Sequence, residues 1–207
     1  MKKILAIGSH VDDIELGCAG TLLKHVDNGD KIKIIIVTNS EYDDHNGHRR
    51  LASETRKEGI KSAKLIGAEI EFLNFKALDL MPNKNLIFKL SNALNKFNPD
   101  IIYTHFIHDI HLDHVAVAKA SLIAAKHVKT LIMYKSNLYT SVDDFNPNLF
   151  IDIGMYIKQK EEILKIFKSE SSKIKRWTKE LFVLGEYYGT LIECNYAEAF
   201  KIVKYNG

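Results

Sequence analysis

The chain has 207 residues, of which 46% are hydrophobic and 27% charged, a balance that supports one folded core and argues against disorder. The formal net charge is only +3 and the lysines are scattered, so no dense basic stripe predicts a nucleic-acid partner. No apolar stretch approaches the roughly 20 residues that cross a bilayer, and the run after the basic start MKK is too short for a secretory signal. We therefore predict a cytoplasmic protein without a transmembrane segment.

The first 134 residues alternate between predicted strands and predicted helices. Nearly continuous apolar runs at residues 4–8 and 32–38 are typical of strands buried on both faces of a parallel sheet. Strands are predicted at 4–8, 32–38, 69–73, 100–103 and 130–134, and helices at 19–28, 49–66, 85–97 and 115–127. This order predicts the α/β class: a Rossmann-like three-layer sandwich with a mostly parallel central sheet, whose active site lies at the C-terminal ends of the strands.

The remaining residues, 135–207, have a less regular pattern. Apolar spacing predicts a strand at 149–153, helices at 156–170 and 173–184, and a closing strand at 196–202. We find neither a linker nor an internal repeat. We therefore predict one domain over residues 1–207, in which 1–134 form the regular core.

Four ionisable residues, His10, Asp12, Asp13 and Glu15, follow the first predicted strand within six positions. In an open parallel sheet, ligands bind beyond the carboxyl ends of the strands, where this cluster lies. One aspartate could act as a helix N-cap, but a helix start needs only one such residue. The cluster therefore predicts a functional site. The neighbouring glycines do not form G-x-G-x-x-G, so a dinucleotide site is not supported.

A second polar cluster, THFIHDIHLDH, follows the strand predicted at 100–103. It contains His105, His108, His111 and His114 within ten residues, with Asp113 beside the last. One histidine is usually structural, whereas four at one strand exit predict a metal ligand and a catalytic imidazole. His105 and His108 could equally be supporting groups or ordinary loop residues.

The two clusters converge if their strands are neighbours in the sheet. Imidazole and carboxylate ligands suit a borderline divalent metal, and three protein ligands beside one open position are typical of catalytic zinc. Fe²⁺ or Co²⁺ could use the same ligands. Only one of the adjacent Asp12 and Asp13 need bind the metal, which leaves the other to take a proton from the attacking water.

The segments HVDDIELGCAGT and HLDHVAVAKA together resemble the LmbE-like, or PIG-L, family of zinc-dependent N-acetylglucosaminyl deacetylases. Weaker similarity runs through ETRKEGIKSAKLIG, the ALDL turn and the closing NYAEAF, so it spans nearly the whole chain. The resemblance implies hydrolysis of the linear amide of an N-acetyl amino sugar or glycoconjugate, a small-molecule partner, and a homo-oligomer. Val11 departs from the usual proline, and Glu170 from a common glutamine.

Residue by residue, the resemblance implies that His10, Asp13 and His114 bind Zn²⁺. Asp12 would be the general base that activates water, and His111 would be a protonated imidazole that supports the oxyanion. The expected reaction is removal of an N-acetyl group by metal-activated water.

Other candidate residues surround this centre. The resemblance implies that Asp113 orients a histidine as a further catalytic residue, and that Arg56 and Asp79 contact substrate. From its position alone, the loop after the second strand offers Asn39 and Glu41 as lining of a sugar pocket, with an ordinary polar loop as the alternative.

The same loop continues through His45 and His48 to the adjacent Arg49 and Arg50. Two arginines near the mouth of a site could receive a phosphate group, such as that of a nucleotide sugar. The pattern favours instead a solvated helix start.

Three rival functions remain to be weighed against this one. A magnesium-dependent phosphoesterase would need an oxygen-rich site, whereas these clusters are rich in histidine. A catalytically inactive member that only binds sugar or metal would need one aspartate, whereas Asp12 is present beside Asp13. A metal-free nucleotide-binding module is disfavoured by the missing glycine pattern.

Overall fold

A computed structural model describes residues 1–43, 49–137, 139 and 143–206. The strands are β1 (Lys3–Gly8), β2 (Lys31–Thr38), β3 (Tyr42–Asp43), β4 (Arg49–Arg50), β5 (Glu69–Phe75), β6 (Ile101–His105), β7 (Thr130–Tyr134), β8 (Leu149–Asp152) and β9 (Ala197–Lys204). The helices are α1 (Asp13–Asp27), α2 (Ala52–Ile66), α3 (Lys84–Phe97), α4 (Leu112–Ala124), α5 (Ile157–Leu164) and α6 (Ser171–Thr190), and a 3₁₀ turn covers Lys168–Glu170.

Seven strands form one sheet in the order β5-β2-β1-β6-β7-β9-β8, and β3 pairs with β4 in a separate ribbon. The neighbours from β5 to β7 run parallel, whereas β9 runs antiparallel to both β7 and β8. Helices α1, α2, α5 and α6 pack on one face, and α3 and α4 pack on the other. The predicted α/β sandwich with a mostly parallel central sheet is therefore confirmed.

The apolar run of β1 is continuous because the strand is covered on both sides. Ile4 and Ala6 pack into the core on one face of the sheet, and Leu5 and Ile7 pack into the core on the other. All four side chains are fully buried. Such a strand needs apolar residues at every position rather than at alternate ones.

The carboxyl ends of β1 and β6 lie at the point where the strand order reverses. The chain passes from β1 to β2 on one side, and β6 pairs with β1 on the other, with Ile4 opposite Ile101. The crevice beyond such a switch point is where open α/β sheets bind ligands. Since each polar cluster directly follows one of these two strands, the predicted convergence of the clusters is confirmed.

The first helix begins earlier than predicted. The apolar spacing predicts a start at residue 19, whereas α1 begins at Asp13. Asp13 and Glu15 lie in its first turn, where the backbone N–H groups favour negative charge. Both are buried, and the Ser62 hydroxyl donates to Glu15, so polar residues occupy positions that the periodicity assigns to solvent.

Other predicted boundaries also move. The helix predicted at 49–66 begins at Ala52, because Arg49–Arg50 pairs with Tyr42–Asp43 instead. The helix predicted at 115–127 covers Leu112–Ala124, since the His111 side chain caps its start by accepting from the Asp113 N–H. Larger differences fall in the C-terminal third: the helix predicted at 156–170 ends at Leu164, and the one predicted at 173–184 covers Ser171–Thr190.

The break after Leu164 is visible in the backbone. Phe167 leaves the helical conformation with ψ 68°, and its side chain is fully buried, as is most of Glu170 three residues later. Within the described part of the chain, no helix has the length and apolar character needed to cross a membrane.

Candidate active site

A cavity beyond the carboxyl ends of β1 and β6 brings the two polar clusters together. His10, Asp12 and Asp13 line it from the loop after β1 and the start of α1. His111 and His114 line it from the first turn of α4. Five of the residues that the sequence predicts as ligands or catalysts therefore share one cavity.

Asp13 lies at the centre of this cluster. Its Oδ1 is 3.1 Å from His114 Nε2, and its Oδ2 is 3.4 Å from His10 Nδ1 and 3.2 Å from His105 Nε2. Burial alone raises the pKa of Asp13, but the imidazoles of His114 and His105 outweigh it and hold that pKa well below its usual value. Asp13 is therefore a carboxylate, the form that can bind a cation.

Two of the imidazoles each contact a further carboxylate through the ring nitrogen that points away from Asp13. His10 Nε2 donates to Asp113 Oδ2 at 2.8 Å, and His114 Nδ1 contacts Asp109 Oδ2 at 3.1 Å. The remaining ring nitrogens, His10 Nδ1 and His114 Nε2, face Asp13. A carboxylate behind a histidine fixes the ring and its tautomer, an arrangement typical of metal-binding histidines.

Asp109 is a residue that the sequence analysis missed. Besides contacting His114, its Oδ1 accepts from the His111 N–H at 2.9 Å, which shapes the loop before α4. The hydrogen bond with His114 lowers its pKa to about 2, although burial acts in the opposite direction. The sequence signal that could have identified Asp109 is its position as a carboxylate within the histidine-rich segment THFIHDIHLDH.

The donor atoms suit a divalent metal. Two overlapping groups of three have their ligand atoms within 4.8 Å of one another: His10, His111 and His114, and Asp13, His105 and His114. Imidazole nitrogen with carboxylate oxygen is the donor set of zinc and of similar transition metals. The predicted set of His10, Asp13 and His114 combines members of both groups and stays a prediction.

His105 and His108, left open by the sequence, lie in different environments. His105 ends β6, is fully buried and stacks on His114 with ring centroids 3.9 Å apart. Its Nε2 accepts from the Ser9 N–H at 2.9 Å, and burial lowers its pKa to about 4. His108 is exposed and pairs with Asp143 at 2.8 Å. His105 thus supports the site, whereas His108 lies on the surface.

His111 has a defined tautomer. Its Nδ1 accepts from the Asp113 N–H at 3.2 Å, so the hydrogen of a neutral ring lies on Nε2. Burial, with the nearby His10 and His114, lowers the pKa of His111 to about 4. The sequence analysis expects a protonated ring, whereas this environment favours a neutral one that can still donate from Nε2.

Asp12 has the opposite environment to its neighbour Asp13. Burial raises the pKa of Asp12 to about 7, against the opposing effect of Arg50, whose Nη1 lies 3.0 Å from Asp12 Oδ2. Asp12 occupies the N-cap position of α1 with φ 107° and makes no side-chain capping hydrogen bond. A non-glycine residue in this backbone region is strained, and such strain is concentrated at functional sites.

Arg50 is neither a solvated helix start nor a free phosphate-binding group. It is 3% exposed, and its Nη1 is shared between Asp12 and Glu170, 3.1 Å from Glu170 Oε1. Its other donors reach the Val11 carbonyl and the Ser169 hydroxyl. Its neighbour Arg49 is exposed, and His45 and His48 lie outside the described residues.

Glu170, which departs from a common glutamine, completes this network. Tyr42 donates its hydroxyl to Glu170 Oε1 at 2.7 Å, and Lys173 Nζ lies 2.7 Å from Oε2. A carboxylate here matches the buried guanidinium of Arg50 in charge. The departure is therefore explained by a local ion pair.

The predicted substrate-contacting residues divide into two groups. Asn39, Glu41 and Asp79 line an open depression that shares Tyr42, Ala77 and Leu78 with the catalytic cavity. Arg56 instead lies over the Phe72 ring, 4.4 Å from its centroid, and does not line the catalytic cavity. The substrate roles of all four residues stay predictions.

Comparisons with known proteins identify the family. The family described as PIG-L, GlcNAc-PI de-N-acetylase, matches residues 5–125. The uncharacterized deacetylase YaiS of Escherichia coli K12 is 30% identical over 142 residues, which cover 65% of this chain and 74% of that protein. The diacetylchitobiose deacetylase of Thermococcus kodakarensis is 23% identical over 223 residues, 98% of this chain and 84% of the relative.

A solved structure shows the same fold. The N,N'-diacetylchitobiose deacetylase of Pyrococcus horikoshii, complexed with its inhibitor MPG, matches with a TM-score of 0.84 at 24% identity. The match covers 98% of this chain and 84% of that one, so it includes the C-terminal strands β8 and β9.

Proposed function

Because this chain belongs to the PIG-L family, we propose that it is a metal-dependent amidohydrolase that removes the N-acetyl group from an N-acetylated amino sugar or its conjugate. One observation carries the proposal beyond the family match. The adjacent carboxylates of Asp12 and Asp13 have opposite environments: imidazoles surround one, and a shared guanidinium contacts the other. A hydrolase that uses a metal and a separate base needs this division of roles.

The metal ligands in this proposal are His10, Asp13 and His114. Support comes from the two carboxylates that hold the imidazoles from behind and leave His10 Nδ1 and His114 Nε2 directed to Asp13. Zn²⁺ is the preferred ion, and Fe²⁺ or Co²⁺ suits the same donors. When bound, the ion would supply Lewis-acid polarisation of the amide carbonyl and of the attacking water.

Asp12 is the general base of the proposal. Its carboxylate lines the same cavity and is held by Arg50, which is immobilised by its own contacts. It takes a proton from water as the oxygen attacks the acetyl carbon, and it is the group placed to return that proton to the leaving amine.

His111 supports the developing oxyanion. A neutral ring with its hydrogen on Nε2 can donate to the oxygen without first being protonated. Its Nδ1 is fixed by the Asp113 N–H, and the Asp113 carboxylate accepts from the Leu78 N–H at 2.8 Å. The donor is therefore oriented before substrate binds.

Amine release provides the test of this function. The purified protein, stripped with a chelator and reloaded with Zn²⁺, Fe²⁺ or Co²⁺, is incubated with a panel of N-acetylglucosamine derivatives while free amine is followed. We expect release that depends on metal and is lowered by about 10²–10⁴ in Asp12→Asn. Phosphate release from esters with Mg²⁺ would favour a phosphoesterase, and metal binding without turnover of any acetylated sugar would favour an inactive binding member.

A further inference from the structure

A second cavity lies beside the catalytic one, between α1, α6 and β9. Its volume is about 70 Å³. The two cavities share the lining residues Leu16, Ser136, Asn137 and Trp177. The Ser136 hydroxyl lies 3.3 Å from Asp13 Oδ1, so this second space begins one side chain from the proposed metal ligand.

The walls of this cavity are mainly apolar. Leu181, Leu184 and Tyr188 line it from α6, and Ile153 and Phe145 line it from the segments around β8. An acetyl methyl group needs only about the volume of one water molecule, roughly 30 Å³. At about 70 Å³, the cavity has room for about two groups of this size.

Lys160 and Glu198, two of the four charged residues that line this cavity, are paired with each other. Lys160 Nζ lies 2.6 Å from Glu198 Oε1 and donates to the Leu16 carbonyl at 2.8 Å. Glu198 also accepts from the N–H groups of Gly20 and Thr21 at 2.9 and 2.7 Å. Since these polar atoms satisfy one another, they leave an apolar ligand little competition from water.

The catalytic cavity also offers polar groups to a ligand. Tyr42, Lys173 and Arg176 line it with polar or charged groups. Sugar hydroxyls need such partners, whereas a hydrocarbon chain is stabilised by the apolar walls of the second cavity. The two ends of an N-acyl amino sugar therefore match the two adjacent cavities.

We propose that the second cavity is an acyl-binding site, and that the substrates are N-acyl amino sugars whose straight acyl chain has about three or four carbons, because the cavity holds about two methylene groups at roughly 30 Å³ each. This proposal rests on the amidohydrolase function above and names its substrate class. Leu184 is the proposed residue that determines acyl-chain length, because it lines the cavity from α6.

The test compares kcat/KM for N-acetyl-, N-propionyl- and N-butyrylglucosamine with the Zn²⁺-loaded protein. We expect the butyryl substrate to exceed the acetyl one by about tenfold or more, because a methylene in an apolar pocket changes specificity by at least this order. In Leu184→Trp, where the indole fills the cavity, the butyryl-to-acetyl ratio should fall by about tenfold. Val183→Trp is the matched control, since Val183 is 54% exposed on the same helix and does not line the cavity.

Each outcome decides a separate point. A tenfold fall in kcat/KM from acetyl to butyryl in the wild-type protein would overturn the acyl site and leave the deacetylase function intact. An unchanged ratio in a folded Leu184→Trp variant would overturn the assignment to this cavity, and if that variant does not fold, the wild-type series decides. Absence of amine release from every sugar, acetyl included, would instead overturn the proposed function and the acyl site with it.

Discussion

Arg50 Nη1 lies 3.0 Å from Asp12 Oδ2 and 3.1 Å from Glu170 Oε1, so one buried guanidinium group is shared between two carboxylates. The pairing holds the side chain of Asp12, whose backbone has φ 107°. A strained residue persists only where its surroundings fix it. Arg50 is therefore a positioning residue for the proposed base.

Replacement of Arg50 by methionine should move the pH dependence of activity. Burial raises the pKa of Asp12 to about 7, and Arg50 opposes that increase. The base must be deprotonated, so activity falls as the pH decreases through this pKa, and loss of the guanidinium moves the midpoint to higher pH. A bound cation lowers the pKa, so the wild-type midpoint should lie at or below about pH 7.

The measurement is the pH profile of kcat/KM for both proteins. Arg49→Met is the matched control, because the Arg49 side chain is 64% exposed and pairs with Asp43 on the surface. Its profile should match that of the wild type. An Arg50→Met profile with an unshifted acidic limb would contradict the positioning role.

Asp12→Asn and Asp13→Asn make the same chemical change at adjacent residues with different expected results. Asp12→Asn should lower kcat by about 10²–10⁴ while metal content stays near that of the wild type, because only the base is lost. Asparagine tolerates the left-handed backbone region, so the variant should fold. Asp13→Asn should lose metal, since it removes the carboxylate between His10 and His114.

Metal analysis of both variants, beside their kinetics, separates the two roles. Equal metal loss in both variants would show that the two carboxylates are not divided between base and ligand. Full activity in Asp12→Asn would exclude that residue as the base.

The sequence was sufficient to place the main clusters, because each follows a strand whose apolar run is continuous. Residues at the ends of β1 and β6 meet once those strands pair, and the α/β alternation places the carboxyl ends of its strands at one edge of the sheet. The choice of His10, Asp13 and His114 among the members of the two clusters came from the family resemblance. The start of α1 could not be predicted, since Asp13 and Glu15 are buried by partners that lie elsewhere in the chain.

Arg50 and Asp109 show why the rest of the site was not predictable. Arg50 lies in a polar segment that has the composition of a solvated surface, and its burial depends on Glu170, far along the chain. Asp109 precedes α4 and Asp113 lies in its first turn, and only the path of the chain between them decides which imidazole each carboxylate reaches. Local sequence patterns therefore predict neither the burial of Arg50 nor the imidazole that each aspartate contacts.

Asp109→Asn should weaken metal binding without removing a proposed ligand. Asp109 Oδ2 is 3.1 Å from His114 Nδ1, and its charge fixes the ring with Nε2 directed to Asp13. Loss of such a partner typically costs about 10–100-fold in metal affinity. Zn²⁺ affinity measured by chelator competition checks this effect, with the exposed Asp144→Asn as control. Unchanged affinity in Asp109→Asn would argue against His114 as a ligand.

Metal affinity should rise with pH. Burial disfavours the charged form of His114, but the nearby carboxylate of Asp13 and the hydrogen bond to Asp109 outweigh it and raise its pKa to about 10. Hydrogen bonds to Asp113 and Asp13 likewise raise the pKa of His10 against the effect of burial. Protons therefore compete with the cation for both imidazoles, and binding must release them.

Chelator competition from pH 6 to pH 8 tests this linkage. The apparent Zn²⁺ affinity should increase steadily across the range, and calorimetry in buffers of different ionisation enthalpy should detect proton release. A pH-independent affinity would mean that His10 and His114 are not the groups from which the metal displaces protons.

Lys160→Met should strongly destabilise the protein, because Lys160 and Glu198 form a buried ion pair within the sheet–helix interface. Removal of one partner of such a pair leaves an uncompensated charge and typically costs about 3–5 kcal/mol, whereas loss of an exposed pair costs about 0–1 kcal/mol. Urea unfolding measures the difference. Lys158→Met is the control, since the Lys158 side chain is 78% exposed where it pairs with Glu161.

The double variant Lys160→Met with Glu198→Leu should recover part of the loss, because it removes the unpaired charge. Equal unfolding midpoints for Lys160→Met and Lys158→Met would show that the buried pair contributes no more to stability than a surface pair.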